Sequence, residues 1–120
     1  MYRAAFRYGA ENAKRLVDYH VRNGGIGREV KFRWFLREVM GIDEGLEDAV
    51  RELKREYGKT LWSGLLTCDE APRLRVILPR LRDEGVSLFV VSGGDQDELR
   101  AILKERDLAP MFDGIYGAPD

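Results

Sequence analysis

A chain of 120 residues, 44% apolar and 34% charged, has room for one small globular domain or for part of a larger one. Its 20 Lys and Arg offset 21 Asp and Glu, so no basic surface points to nucleic acid and no acidic tail points to disorder. The single cysteine, Cys68, excludes an internal disulfide framework and fits a reducing, cytoplasmic setting. The sequence shows no signal peptide and no apolar run long enough to span a bilayer.

From Arg3 to Arg22 the apolar residues Ala5, Phe6, Ala13, Leu16, Val17 and Tyr19 fall at three- and four-residue spacings, which predicts a helix. Asn23-Gly24-Gly25-Ile26-Gly27 ends it, because glycine takes the backbone conformations a helix exit requires. A second helix is predicted over Arg28–Met40, with Phe32, Trp34, Phe35, Val39 and Met40 facing inward and Gly41 as its stop. A third starts near Asp43 and Glu44 and places Leu46, Val50, Leu53 and Tyr57 on one face as far as Gly58. Leu61 to Thr67 is apolar and reads as a further short helical segment. Consecutive helices without a strand between them make residues 1–67 a helical subdomain.

The pattern changes after Cys68-Asp69-Glu70-Ala71-Pro72. Leu74, Ile77, Leu78 and Leu81 form a helical stripe that contains Pro79 and stops at Gly85. Val86 to Val91 follows as a short β-branched run of the kind a covered parallel strand requires. Ser92-Gly93-Gly94 then turns the chain, and Asp95 with Glu98 has the spacing of a helix N-cap and capping box. The helix from Asp95 to Arg106 presents Leu99, Ile102 and Leu103, and Ile115-Tyr116 is a second, very short strand. Helix, strand, helix and strand at this spacing mark a βαβ crossover over residues 68–120. The fold class is therefore α/β and predominantly helical.

A strand that delivers a hydroxyl and two glycines to a helix N-terminus forms an anion-binding cup of backbone N–H groups. Ser92, Gly93 and Gly94 are thus candidate phosphate-binding residues. Asp95 and Asp97 spell Asp-x-Asp, but Asp95 lies three residues past Ser92, and we read both as helix-capping rather than metal-binding. Cys68, without CxxC spacing, reads as a small buried residue rather than a nucleophile. His20, the only histidine, reads as a packed or half-exposed side chain rather than a ligand, and Lys31 and Lys104 as surface lysines.

The chain resembles, over essentially its whole length, the haloacid dehalogenase (HAD) superfamily in its capped phosphoglycolate phosphatase-like group, the helical half less specifically than the second half. The resemblance is carried by order: Ala71-Pro72, Leu81-Arg-Asp-Glu-Gly85, the strand ending in Ser92, Gln96-Asp-Glu-Leu99, then Leu108-Ala-Pro-Met-Phe-Asp-Gly-Ile-Tyr-Gly-Ala-Pro119. It implies a HAD-like helical cap joined to a Rossmann-like core, here one βαβ unit of it. It also implies that Ser92 is the second motif, which binds the transferring phosphoryl group. Arg28, after the Gly24–Gly27 loop, then has two readings, a solvated helix-start residue or a cap residue that meets a substrate anion. Motifs one, three and four of the family, which supply the nucleophilic Asp-x-Asp, a lysine and a late acidic pair, are not found in these residues. The family's chemistry is aspartate attack on a phosphomonoester with Mg²⁺. These residues alone are expected to take no cofactor and to be catalytically incomplete.

The same argument predicts self-association. Left uncovered, Val86, Leu88, Phe89, Val90 and Val91 forgo about 1.5–3 kcal/mol each. Together that is about 8–15 kcal/mol, as large as the stability of a small domain, about 5–15 kcal/mol. A second copy or another partner on strand 86–91 is the expected cover, with no nucleic acid and no membrane involved. Two functional readings follow: a HAD-type hydrolase that acts on a phosphorylated small molecule once completed, or a non-catalytic oligomerising module derived from one. An unrelated helical protein with a single βαβ unit is a third.

Overall fold

The computed structural model describes residues 1–118; the proline of the Gly-Ala-Pro119 segment falls outside the described residues. The order is α1 (Tyr2–Ala5), α2 (Ala10–Arg22), α3 (Arg28–Trp34), α4 (Leu46–Thr67), α5 (Leu74–Asp83), β1 (Phe89–Asp95), α6 (Gln96–Glu105) and β2 (Gly114–Ala118). The protein is mostly helical with one two-stranded parallel sheet, a mixed α/β architecture. The chain divides into two compact units, Met1–Ser63 and the residues from Gly64 on, so that α4 runs across the division. No helix among the described residues is long and apolar enough to cross a membrane.

The first unit is built on buried apolar side chains from four helices and the turns between them. Ala4, Ala5, Ala13, Leu16, Phe32, Phe35, Leu36, Val50 and Leu53 form its core, with Trp34, Val39, Met40, Leu46 and Tyr57 packed around them. Tyr8 meets Phe35 edge-on at 5.6 Å, Phe32 meets Tyr57 at 5.9 Å, and Tyr19 stacks on Trp34 with ring centroids 3.8 Å apart. Edge-on and parallel pairs add to what burial of the rings alone supplies.

Three features differ from the sequence expectation. The Arg3–Arg22 helix is interrupted: a 3₁₀ turn, Phe6–Tyr8, leads into Gly9 at φ +99°, and Asn12 Nδ2 donates to Tyr8 O at 2.9 Å to close the break. Phe6 consequently points outward. The second helix finishes in a π turn, Phe35–Val39, where Met40 N donates to Phe35 O, before Gly41 at φ +65° stops it as expected. Finally, Gly58 does not end the third helix. One glycine costs a helix about 1 kcal/mol, too little to stop a segment whose Val50 and Leu53 are already buried.

Lys31 is also not a surface lysine. It is 2% exposed, and its Nζ lies 3.0 Å from Nδ1 of half-buried His20 on α2. Its position on the inner side of α3, one residue before Phe32, draws the stem into the core, and the imidazole meets the ammonium.

The second unit has less to bury. Leu78, Ile102 and Leu108 are its buried apolar residues, contributed by α5, α6 and the turn after α6. Pro79 sits within α5, and Gly85, two residues past the end of the helix, turns the chain away at φ +83°. Arg106, the C-cap of α6, binds the end of α4: its Nη1 donates to Leu65 O at 2.6 Å and its Nη2 to Cys68 O at 2.7 Å. Arg75 donates to both carboxylate oxygens of Glu70 and to Arg106 O, so one charged network joins the ends of three helices. These arginines hold the Glu70 carboxyl below the usual carboxylate range, the Arg75 hydrogen bond foremost. Cys68, expected to be buried, is exposed because it follows the last turn of α4, where its Sγ lies 3.2 Å from Arg106 Nη1.

Candidate functional site

The strand that carries the candidate residues begins and ends later than its apolar pattern indicates. Residues 86–88 lie outside the ladder, and β1 runs from Phe89 through Ser92, Gly93 and Gly94 to Asp95. Two local causes account for the shift. At the start, Asp113 N donates to Leu88 O and Leu88 N donates to Asp113 Oδ2, both at 2.7 Å. That pair sets Phe89 opposite Gly114 as the first rung.

At the far end, Val91 pairs with Tyr116 and Asp95 with Ala118, so Ser92, Gly93 and Gly94 stand against Gly117 alone. The ladder is irregular there, as in a bulge that redirects a strand. Gly117 permits it. A Cβ at that position would come within 2.5 Å of Gln96 Cα and 2.7 Å of Gly94 O, so only a residue without a side chain lets β2 pass this close. Gly117 N also faces Gln96 Oε1 at 3.4 Å. Ser92-Gly93-Gly94 is therefore an irregular strand segment rather than the open turn the sequence indicates.

Within it, Ser92 Oγ accepts from Gly94 N at 3.1 Å. Asp95 caps α6 as expected, its Oδ1 accepting from Glu98 N at 2.9 Å. The hydroxyl, the two glycines and the first turn of α6 thus lie together, where the helix dipole favours an anion. Arg28, the other candidate, belongs to the first unit, where its guanidinium lies 5.2 Å from the centre of the Tyr57 ring.

These residues do not form a Mg²⁺ donor set. Asp95 is committed to its helix cap, Asp97 is exposed on α6, and no three His, Cys, Asp or Glu side chains converge among the described residues.

The sheet beside this segment is covered on one side. α6 packs against both strands, and Val90 and Ser92 are half-buried, whereas Phe89 is 55% exposed, Val91 80% and Tyr116 50%. Phe89 and Tyr116 stack across the strands at 6.3 Å. Among the described residues β1 pairs with β2 alone, so its other edge carries no strand. Gly117 and Arg106 were not singled out by sequence reasoning; the glycine two residues before the last proline was the available signal for the first, and the second had none. No protein-family model, no curated protein and no solved structure matches this chain.

Proposed function

We propose that this chain is the helical cap and one βαβ unit of a HAD-type phosphomonoester hydrolase, carrying the phosphate-holding segment Ser92-Gly93-Gly94 without the nucleophile. One observation carries the reading: a strand bearing Ser92 runs parallel to its neighbour and passes through two glycines into the capped N-terminus of α6. In this reading the helices of residues 1–67 are the cap, and Arg28 is its candidate contact with a substrate anion. Attack on the phosphoryl group requires an aspartate presenting its carboxylate at a strand end and a Mg²⁺ ion; Asp95, which ends β1, is taken up by its cap of α6, and the described residues offer no Mg²⁺ donor set. The segment works when another polypeptide strand completes the sheet.

Purified chain given an aryl phosphate and Mg²⁺ is expected to show no turnover. Turnover that Ser92→Ala abolishes overturns the incompleteness. An in-frame strand ending in Asp-x-Asp encoded upstream supports the hydrolase.

The second reading, a non-catalytic oligomerising module of cytoplasmic location, is favoured by a different observation. The bare side of the sheet, Phe89, Val91 and Tyr116, and the open edge of β1 together form a surface suited to a second copy of the chain. A gene that starts at Met1 and stops after Asp120 supports that reading over the first.

A further inference from the structure

The ammonium of Lys31 is buried with one hydrogen-bond partner among the described residues, Nδ1 of His20 at 3.0 Å. An ammonium has three donors and no lone pair, so the imidazole nitrogen is the acceptor and the neutral ring carries its proton on Nε2. Two positive groups act on the ring: Lys31 from α3 and the Met1 amino group from the start of α1. Carboxylates of the neighbouring elements are bonded to other cations. Glu29 of α3 binds Arg33 and Lys54, and Arg7, from the turn after α1, reaches Glu52 of α4. No acidic side chain among the described residues bonds to His20.

We propose that the His20–Lys31 pair is an acid-sensitive latch that fastens α2 to α3 across the Asn23–Gly27 turn. Protonation of Nδ1 replaces the accepting lone pair with an N–H that points at an ammonium. The bond is lost, Lys31 is left buried without an acceptor, and two like charges face each other in a poorly hydrated place. The turn the latch spans contains Gly24, Gly25 and Gly27, with nothing near enough to Gly24 or Gly25 to meet even a Cβ, so the connection itself offers little resistance to opening. Acidification therefore loosens the helical unit at one defined place.

Burial and the charge of Lys31 hold the His20 imidazole below its ordinary value of 6.5. In the unfolded chain the ring takes up its proton at the ordinary value, and in the folded chain only at lower pH. Stability is therefore full above 6.5 and is lost as the pH falls from there through the lower, folded value.

His20 is the only histidine in the sequence, so its ring protons can be followed without assignment ambiguity in the full chain by NMR. The expected midpoint lies below 6.5, and Lys31→Met moves it upward. Should Lys31→Met fail to fold, His20→Gln keeps a hydrogen-bond acceptor and removes the titration. Its urea midpoint is expected to fall less than that of the parent between about pH 7.5 and 5.5, above the carboxylate range; the remaining fall belongs to the Met1 amino group, which burial holds below its ordinary value of 8.0. A parent midpoint at or above 6.5, an unmoved midpoint in Lys31→Met, or an undiminished acid loss in His20→Gln overturns the latch.

Discussion

Gly117 stands where two backbones come closest. The methyl of Gly117→Ala meets Gln96 Cα, Gln96 N and Gly94 O, all of them backbone atoms that cannot swing aside. We expect a loss of about 1–3 kcal/mol, read as a lowered urea midpoint, with the β1–α6 amide resonances displaced. Asp95→Ala removes the acceptor of Glu98 N and is expected to cost about 1 kcal/mol by the same measurement. The Asp95 cap was legible in the sequence because Asp-x-x-Glu before an apolar helix has one local meaning. The burial of Lys31 was not legible, since a helical lysine is a surface residue by default, and only the arrival of His20 from another helix gives its ammonium an acceptor. Cys68 was misread for a related reason: composition makes a lone thiol a core residue, whereas its place after the last turn of α4 exposes it.

At the level of elements, the stops that require positive φ, Gly41 and Gly85, lie where the sequence puts them, because that requirement is local. The helix that was expected to stop at Gly58 continues to Thr67, where packing outweighs a single unfavourable residue. β1 starts three residues and ends four residues later than Val86–Val91 because its limits are set by Asp113, just before the partner strand, and Gly117 within it, which no reading of Val86–Val91 by itself contains. The end of α4 depends on a residue far along the chain. Arg106 supplies donors to Leu65 O and Cys68 O, and truncating it leaves both carbonyls and Glu70 short of a partner. Arg106→Ala is expected to lower stability by about 1.5–3 kcal/mol, the range of charge-assisted hydrogen bonds, and to fray the last turn of α4, seen as faster amide exchange at residues 65–68.

Across the whole molecule the two units are unequally provided for. The first has a core of buried phenylalanines and leucines; the second leaves Phe89, Val91 and Tyr116 in contact with water on one side of a two-stranded sheet. Such a sheet is marginal without further cover. A second copy whose sheet packs face to face on this one hides that side, whereas pairing along β1 only extends the sheet. Light scattering at micromolar concentration is expected to give a dimer or larger species, and Val91→Lys, at a position already 80% exposed, is expected to shift it to monomer without loss of helical signal. A monomeric parent chain removes the self-association reading. The helix–strand–helix–strand order was legible because each element carries its own period; what covers the sheet was not, because the apolar residues name a need rather than the group that meets it.

The ring stack of Tyr19 on Trp34 has a practical consequence for following these events. Trp34 and Trp62 are the chain's two tryptophans, and both fall within Met1–Ser63. Trp62 lies on α4, which runs into the second unit, so in Trp62→Phe the remaining indole, Trp34, reports the latch and its helices, and the sheet-bearing half is dark to it. A fluorescence melt and a far-ultraviolet melt that part company would time the two halves separately, with no label attached.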